Sequence, residues 1–206
     1  MVKREFSPKE QGRVSNQDIL LLLQREDEIF QLLEAVQRWT PDGNGFIPPP
    51  IKETTADHTK AVMEFSMSTL ISFPRFASPI DHVRVQGIAL VHDLGERDTG
   101  DVLAHTKDLL SKEEQRDLKN QERESILGTF EDLGLPDGLI ELYDSYENWD
   151  RYGSPYALEG TFVQLMDKLH STRLLHIYTT GHLSENSPQS NFEKTIQNDR
   201  FIDRIF

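Results

Sequence analysis

The sequence predicts an all-α fold, and two observations carry that expectation, while a third excludes a membrane span. Apolar residues recur at helical spacing along almost the whole chain. Alternating, β-branched runs bounded by turn signals are hard to find. The longest uninterrupted apolar run, Ile19–Leu23, is far too short for a bilayer-spanning helix. At 206 residues the chain has room for one domain, because domains run about 100–200 residues. We expect a single domain over 1–206, with a helical core at 16–181 and a C-terminal extension at 184–206.

The first helix is expected over 16–39, capped by Ser15 or Asn16, with Ile19, Leu22, Leu23, Phe30, Leu33 and Val36 forming a buried stripe. Pro41 to Gly45 and Pro48-Pro49-Pro50 then impose an irregular connection. A second helix spans about Thr54 to Phe73, presents His58, Val62, Phe65 and Thr69 on one face, and stops at Pro74. A third begins near Pro79 or Ile80, carries Val83, Ile88, Leu90 and Val91, and ends in the His92–Glu96 segment, where Gly95 permits a turn. A charged helix runs from Lys112 to Leu133, followed by Gly134 and Pro136. Residues 137–149 form a short helix, Gly153-Ser154-Pro155 a turn, and 156–180 a long helix centred on Phe162, Leu165, Met166 and Leu169 and closed by Gly181. The apolar residues near the C-terminus, from Phe192 to Phe206, either dock back or meet a second copy in a homodimer.

Charge removes several function classes. Lys and Arg total 22 against 35 Asp and Glu, a net charge of −13. A chain so acidic is unsuited to a nucleic-acid polymer or an anionic membrane surface, so any phosphate must be held locally. There is no cysteine, hence no disulfide, thiol nucleophile or thiolate metal site, and a ligand set must come from His and carboxylates. The charged start, Met1-Val2-Lys3-Arg4-Glu5-Phe6, is not followed by an apolar signal stretch, which makes a cytoplasmic location the expectation.

The informative residues are His58, the pair His92-Asp93, and Asp167, each near the middle or end of an apolar helix. Any one of them alone reads as a hydrogen-bonded core group or a partly exposed residue. Together, two imidazoles and two carboxylates from three helices form a mixed nitrogen and oxygen set suited to a divalent transition ion with open positions for water. Adjacent residues on a regular helix diverge by about 100°, so His92 and Asp93 can address one ion only at a distorted helix end. Glu96 and Asp101 supply more acid than ligation requires. A carboxylate beside a metal-bound water can orient it or carry its proton.

These residues resemble the HD-domain metal-dependent phosphohydrolases, named for a paired His-Asp, and within them the bacterial 5′-deoxynucleotidase group and its eukaryotic relatives. The matching pieces are Asp57-His58-Thr59 (Glu-His-Ser in that group), His92-Asp93 with Glu96 three residues on, Gly100-Asp101, and Val163-Gln164-Leu165-Met166-Asp167-Lys168. Arg38-Trp39 looks like the substrate-contacting pair of that group, and Lys107 stands six residues after Asp101 as a lysine often does there. The likeness spans roughly Arg38 to Lys168. The connection between Trp39 and His58 is longer than in the bacterial nucleotidases.

The resemblance implies an all-α HD-domain bundle. It implies one divalent transition ion (Mn, Co, Fe or Zn) held by His58, His92, Asp93 and Asp167, with Glu96 and Asp101 catalytic. Arg38, Trp39 and Lys107 would contact the substrate; Lys168 is a further cation, and Arg38 reads equally well as a helix C-terminal cation. The expected reaction is release of phosphate from a nucleotide, a nucleoside 5′-monophosphate first, by attack of metal-bound water. The alternatives are a nucleotide or nucleotide-analogue triphosphohydrolase or pyrophosphatase, and a non-catalytic ligand-binding protein of the same fold. His105 is a second-metal ligand or an exposed helix histidine, and His170 and His176 pack or face solvent. Tyr146 and Trp149 stack on a base or belong to the core.

Overall fold

The computed structural model describes residues 14–39, 52–147 and 156–179, without the side chains of 76, 104–105 and 173–179. The expected 41–50 connection, Trp149, the 153–155 turn, Gly181 and the 184–206 extension lie outside the described residues, as do the side chains of His105 and His176. Ten α-helices follow one another among the described residues: α1 Asn16–Leu23, α2 Glu26–Leu33, α3 Thr55–Ser72, α4 Pro74–Ala77, α5 His82–Val91, α6 Glu96–Thr99, α7 Ala104–Leu109, α8 Lys112–Leu133, α9 Ile140–Glu147 and α10 Ala157–Thr179. The fold is all-α, as the periodicity predicts. None of these helices is long and apolar enough to cross a membrane.

Helix α5 is the axis of the assembly. Val85, Ile88, Ala89, Leu90 and Val91 are all inaccessible to solvent, and a helix whose second half is apolar all round is stable only when that half is surrounded. It is packed by α1, α3, α9 and α10, while α3 and α10 also meet each other. Asp81 starts α5, its Oδ1 accepting from the amides of Val83 (3.0 Å) and Arg84 (3.2 Å).

The expected first helix, 16–39, is corrected. It breaks at Gln24–Arg25, where the Arg25 amide bonds to the Leu22 carbonyl, and helical structure ends at Leu33. Nothing at 24–25 forbids a helix; packing imposes the break. Ile19 and Leu22 on α1 belong to the α5 side, whereas Ile29, Phe30 and Leu33 on α2 serve the α3 side, and one straight stripe cannot face both. Glu26, Asp27 and Glu28 then occupy the first turn of α2, where the helix dipole favours negative charge. Beyond Leu33 the backbone runs beside the start of α3: Gln37 and Thr54 form a β-bridge, and the Arg38 amide donates to Glu53 O at 2.9 Å. Arg38 therefore lies outside any helix, and its expected alternative role as a C-terminal cation is set aside.

Helices α3, α8 and α10 match expectation closely; α4, α6 and α7 were not anticipated, being four to six residues each and too short to show a period. Pro74 does stop α3, but it also occupies the first position of α4, the helical site that tolerates proline.

Helix α10 approaches α9 through Gly160. A Cβ there would overlap the Ser145 carbonyl oxygen. Replacing Gly160 with Ala should therefore force α9 and α10 apart and lower stability by about 1–3 kcal/mol, read as a reduced urea midpoint at unchanged m-value.

Candidate metal centre

Three local devices bring the four central side chains together. At the start of α3, Thr54 and Asp57 form a reciprocal cap: Asp57 Oδ2 accepts from the Thr54 amide (3.1 Å) and hydroxyl (2.8 Å), and Thr54 Oγ1 accepts from the Asp57 amide (3.1 Å). Asp57 is thus committed to the helix end, and the next residue, His58, turns fully inward. At the other end of α5, regular helix stops after Val91 and tight turns take over, with Leu94 N bonded to Val91 O and Glu96 N to Asp93 O. This distorted end lets His92 and Asp93 address one point. Gly95 allows it to pack against α8, since a Cβ would lie 2.6 Å from Glu122 Cβ and 2.8 Å from Glu122 Cα. The third device is the middle of α10, which supplies Asp167.

The resulting geometry is tight. His58 Nε2 lies 2.9 Å from Asp167 Oδ1 and 3.5 Å from Asp93 Oδ2, and His92 Nε2 lies 3.2 Å from Asp93 Oδ2. One ligand atom from each of His58, His92 and Asp93 falls within a sphere of mutual distances under 4.8 Å. Both Nε2 atoms are buried and have no hydrogen-bond partner of acceptable geometry. Buried polar atoms are almost always satisfied, so two such nitrogens facing two carboxylates fit a divalent cation. His92 is oriented for that role by its Nδ1, 2.7 Å from Ala89 O, the arrangement in which Nδ1 carries the proton and Nε2 the lone pair.

Burial and the Arg38 guanidinium push the His58 imidazole down to about 4, so it is neutral at pH 7, the ligating form. His92 is raised: burial opposes its charge, but the adjoining Asp93 carboxylate outweighs that. Asp93 and Asp167 stay well below the ordinary carboxylate range against the effect of burial, Asp93 through His92 and Asp167 through His58. Three donors support them: Arg38 Nη1 donates to Asp93 Oδ2 at 2.9 Å, Tyr146 OH to Asp167 Oδ2 at 2.8 Å, and Ser171 Oγ to Asp167 Oδ1 at 3.4 Å.

Glu96 and Asp101 sit beside this cluster. Glu96 is buried and accepts from Thr55 Oγ1 at 3.1 Å. Burial, then Asp93 and Asp101, raise its carboxyl well above the ordinary range. Asp101, raised chiefly by burial, accepts from the Trp39 amide at 3.2 Å. Trp39 has φ 58°, a left-handed conformation that is costly for a bulky residue; its indole Nε1 donates to Glu53 Oε2 at 2.7 Å. Lys107 Nζ is 3.3 Å from Glu122 Oε1, and Tyr143 OH donates to the other oxygen of Glu122 at 2.7 Å. Lys107, Glu122, Tyr143 and Tyr146 line a cavity of about 70 Å³ together with His92, Asp93 and Glu96.

All nine anticipated site residues therefore lie in one neighbourhood. The tyrosine that bonds Asp167 was expected as a stacking or core group, and Glu53, Thr55, Glu122 and His170 were not singled out for the site. Glu122 had a readable signal: it falls on the buried stripe of α8 with Ser125, Ile126, Thr129 and Phe130, where an acid needs a partner. Glu53 and Thr55 carried none, because their roles depend on where the 34–39 backbone runs.

The HD domain family profile matches residues 31–205. The chain belongs to the HD-domain family. Two solved structures share the fold of this HD domain at low identity. A conserved hypothetical protein from Pyrococcus furiosus is 22% identical with a TM-score of 0.56, covering 91% of this chain and 98% of its own. A protein from Pyrococcus horikoshii OT3 is 20% identical with a TM-score of 0.59, covering 88% and 94%. A predicted metal-dependent phosphohydrolase from Magnetospirillum magnetotacticum MS-1 is 22% identical with a TM-score of 0.49, covering 77% and 72%. No curated protein matches the chain significantly.

Glu96 gives a pH-dependent stability test in metal-free protein. Its folded carboxyl keeps a proton that the unfolded chain releases near the ordinary value of 4.5, so this group costs stability as pH rises from that value toward its folded pKa. Metal-free Glu96→Gln should melt above the wild type at pH 7, by about 2–4 °C per kcal/mol of relief. The gap should close toward pH 4.

Proposed function

We propose that this HD domain is a metal-dependent phosphohydrolase whose substrate is a nucleotide, a nucleoside 5′-monophosphate first. The observation that carries the reading is the pair of buried Nε2 atoms of His58 and His92, without a hydrogen bond of acceptable geometry and 2.9 Å and 3.2 Å from Asp167 and Asp93. Those four residues would hold the ion. When bound, a divalent ion there supplies positive charge for phosphoryl oxygens and makes water a stronger nucleophile at neutral pH.

The chain's own residues supply the rest. Glu96 is the carboxyl that burial, then Asp93 and Asp101, raise above its ordinary range, which suits it to proton transfer. Thr55 holds Oε2, leaving Oε1 to carry the proton. In hydrolysis the P–O bond to the leaving alkoxide breaks while a P–O bond to water forms. Glu96 gives its proton to the leaving oxygen, and the proton lost by water restores it. Asp101, tied to the Trp39 amide, positions that water or a sugar hydroxyl. Arg38 and Lys107 provide local cations in an otherwise anionic protein, and both are now held by carboxylates, Asp93 and Glu122, from which a phosphate would draw them.

The test is a panel of nucleoside mono-, di- and triphosphates with added Mn²⁺, Co²⁺, Fe²⁺ or Zn²⁺, scored by product. Phosphate release from monophosphates is expected, whereas pyrophosphate or tripolyphosphate would replace this substrate assignment. Glu96→Gln should keep metal binding and lose turnover by on the order of 10²–10⁴-fold; unchanged turnover removes Glu96 as the proton carrier. Lys107→Met should raise KM more than it lowers kcat, measured on the preferred substrate.

A further inference from the structure

A ligating imidazole ordinarily donates its other ring N–H to a carboxylate, a carbonyl or water. His92 follows that rule through Ala89 O. His58 does not. Its Nδ1 lies 3.1 Å from Nδ1 of His170, with the two rings 5.1 Å apart between centroids and tilted by 52°. The carboxylate on that side, Glu53, has its Oε1 4.0 Å away, beyond hydrogen-bond reach, while its Oε2 accepts from Trp39 and lies 3.5 Å from Arg38 Nε.

Two ring nitrogens at this distance must share one proton, and the direction matters. If His170 donated, the neutral His58 ring would carry its own proton on Nε2, 2.9 Å from Asp167 Oδ1, in the position a cation needs. If His58 donates, its Nε2 lone pair faces Asp93 and Asp167. We propose that His170 is a positioning residue that accepts a hydrogen bond from Nδ1–H of His58 and so holds His58 in the metal-binding tautomer. This rests on the metal reading above. An imidazole suits the place because its ring nitrogen can accept a hydrogen bond without adding a further anion to a cluster that already contains Asp93, Asp167 and Glu53. One helix thereby supplies both a ligand and a ligand's support, since His170 follows Asp167 by three residues on the same face of α10.

The test compares wild type, His170→Phe, which keeps a ring and removes the acceptor, and His170→Asn, whose side-chain oxygen can replace Nδ1. Zn²⁺ affinity and stoichiometry are measured by chelator competition, and the His58 tautomer by long-range proton–nitrogen NMR on the Zn²⁺-loaded, nitrogen-15-labelled wild type. The expected results are a proton on His58 Nδ1, a 10–100-fold weaker Zn²⁺ affinity in His170→Phe, and recovery of most of it in His170→Asn. Equal affinity in all three proteins, an equal loss in both variants, or a wild-type His58 proton on Nε2 overturns the inference and leaves the metal reading standing. A stoichiometry that falls from two to one in His170→Phe also overturns it, by making His170 a ligand. A wild type that binds no Zn²⁺ overturns both.

Discussion

Two largely buried carboxylates and two buried ring nitrogens converge where the ends of α3 and α5 meet the middle of α10, and the charge at that point governs much of the surrounding architecture. Withdrawing an anion from water costs several kcal/mol unless it is paired and hydrogen-bonded. Arg38 offsets Asp93, and Tyr146 donates to Asp167, yet neither group reaches the imidazole lone pairs. A divalent cation would answer His58, His92 and Asp93 together, the three whose ligand atoms cluster, with Asp167 beside His58. The same field explains why the neighbouring acids divide: Asp93 and Asp167 are lowered by the adjoining histidines against the effect of burial, whereas Glu96, buried beside anions, is raised. Groups of one chemical type are thus shifted in opposite directions by their positions.

The helices make that convergence rigid. The central helix α5, buried on every side in its second half, ends abruptly at Val91, and the turns that follow aim two adjacent residues at a single place. Thr54 and Asp57 fix the phase of α3 so that His58, one residue on, points to the same place. Gly95 and Gly160 let α8 and α9 come close enough for Glu122, Tyr143 and Tyr146 to line the opening. An irregular segment, 34–39, carries Arg38 and Trp39 across the start of α3, and the left-handed Trp39 backbone records strain at the rim.

Long periodic helices were legible from the residues alone: Lys112–Leu133 carries its stripe through six turns and was found to the residue. The break after Leu23 was not, because the stripe continues through it and only the separate positions of α3 and α5 require a bend. At the site, His58, His92, Asp93 and Asp167 were readable because polar groups on apolar helices stand out. The supports were not. Tyr146 looks like an ordinary aromatic on α9, and His170 looks like an ordinary surface residue until the packing of α3 against α10 puts its ring beside His58.

The central claim is that one cation sits among His58, His92, Asp93 and Asp167. Anomalous diffraction from crystals grown with Co²⁺ measures this directly. The account predicts an anomalous peak about 2.0–2.2 Å from His58 Nε2 and His92 Nε2, with Asp93 and Asp167 oxygens completing the contacts. A peak bound elsewhere, or none at this point in a protein that has taken up the metal, would contradict it.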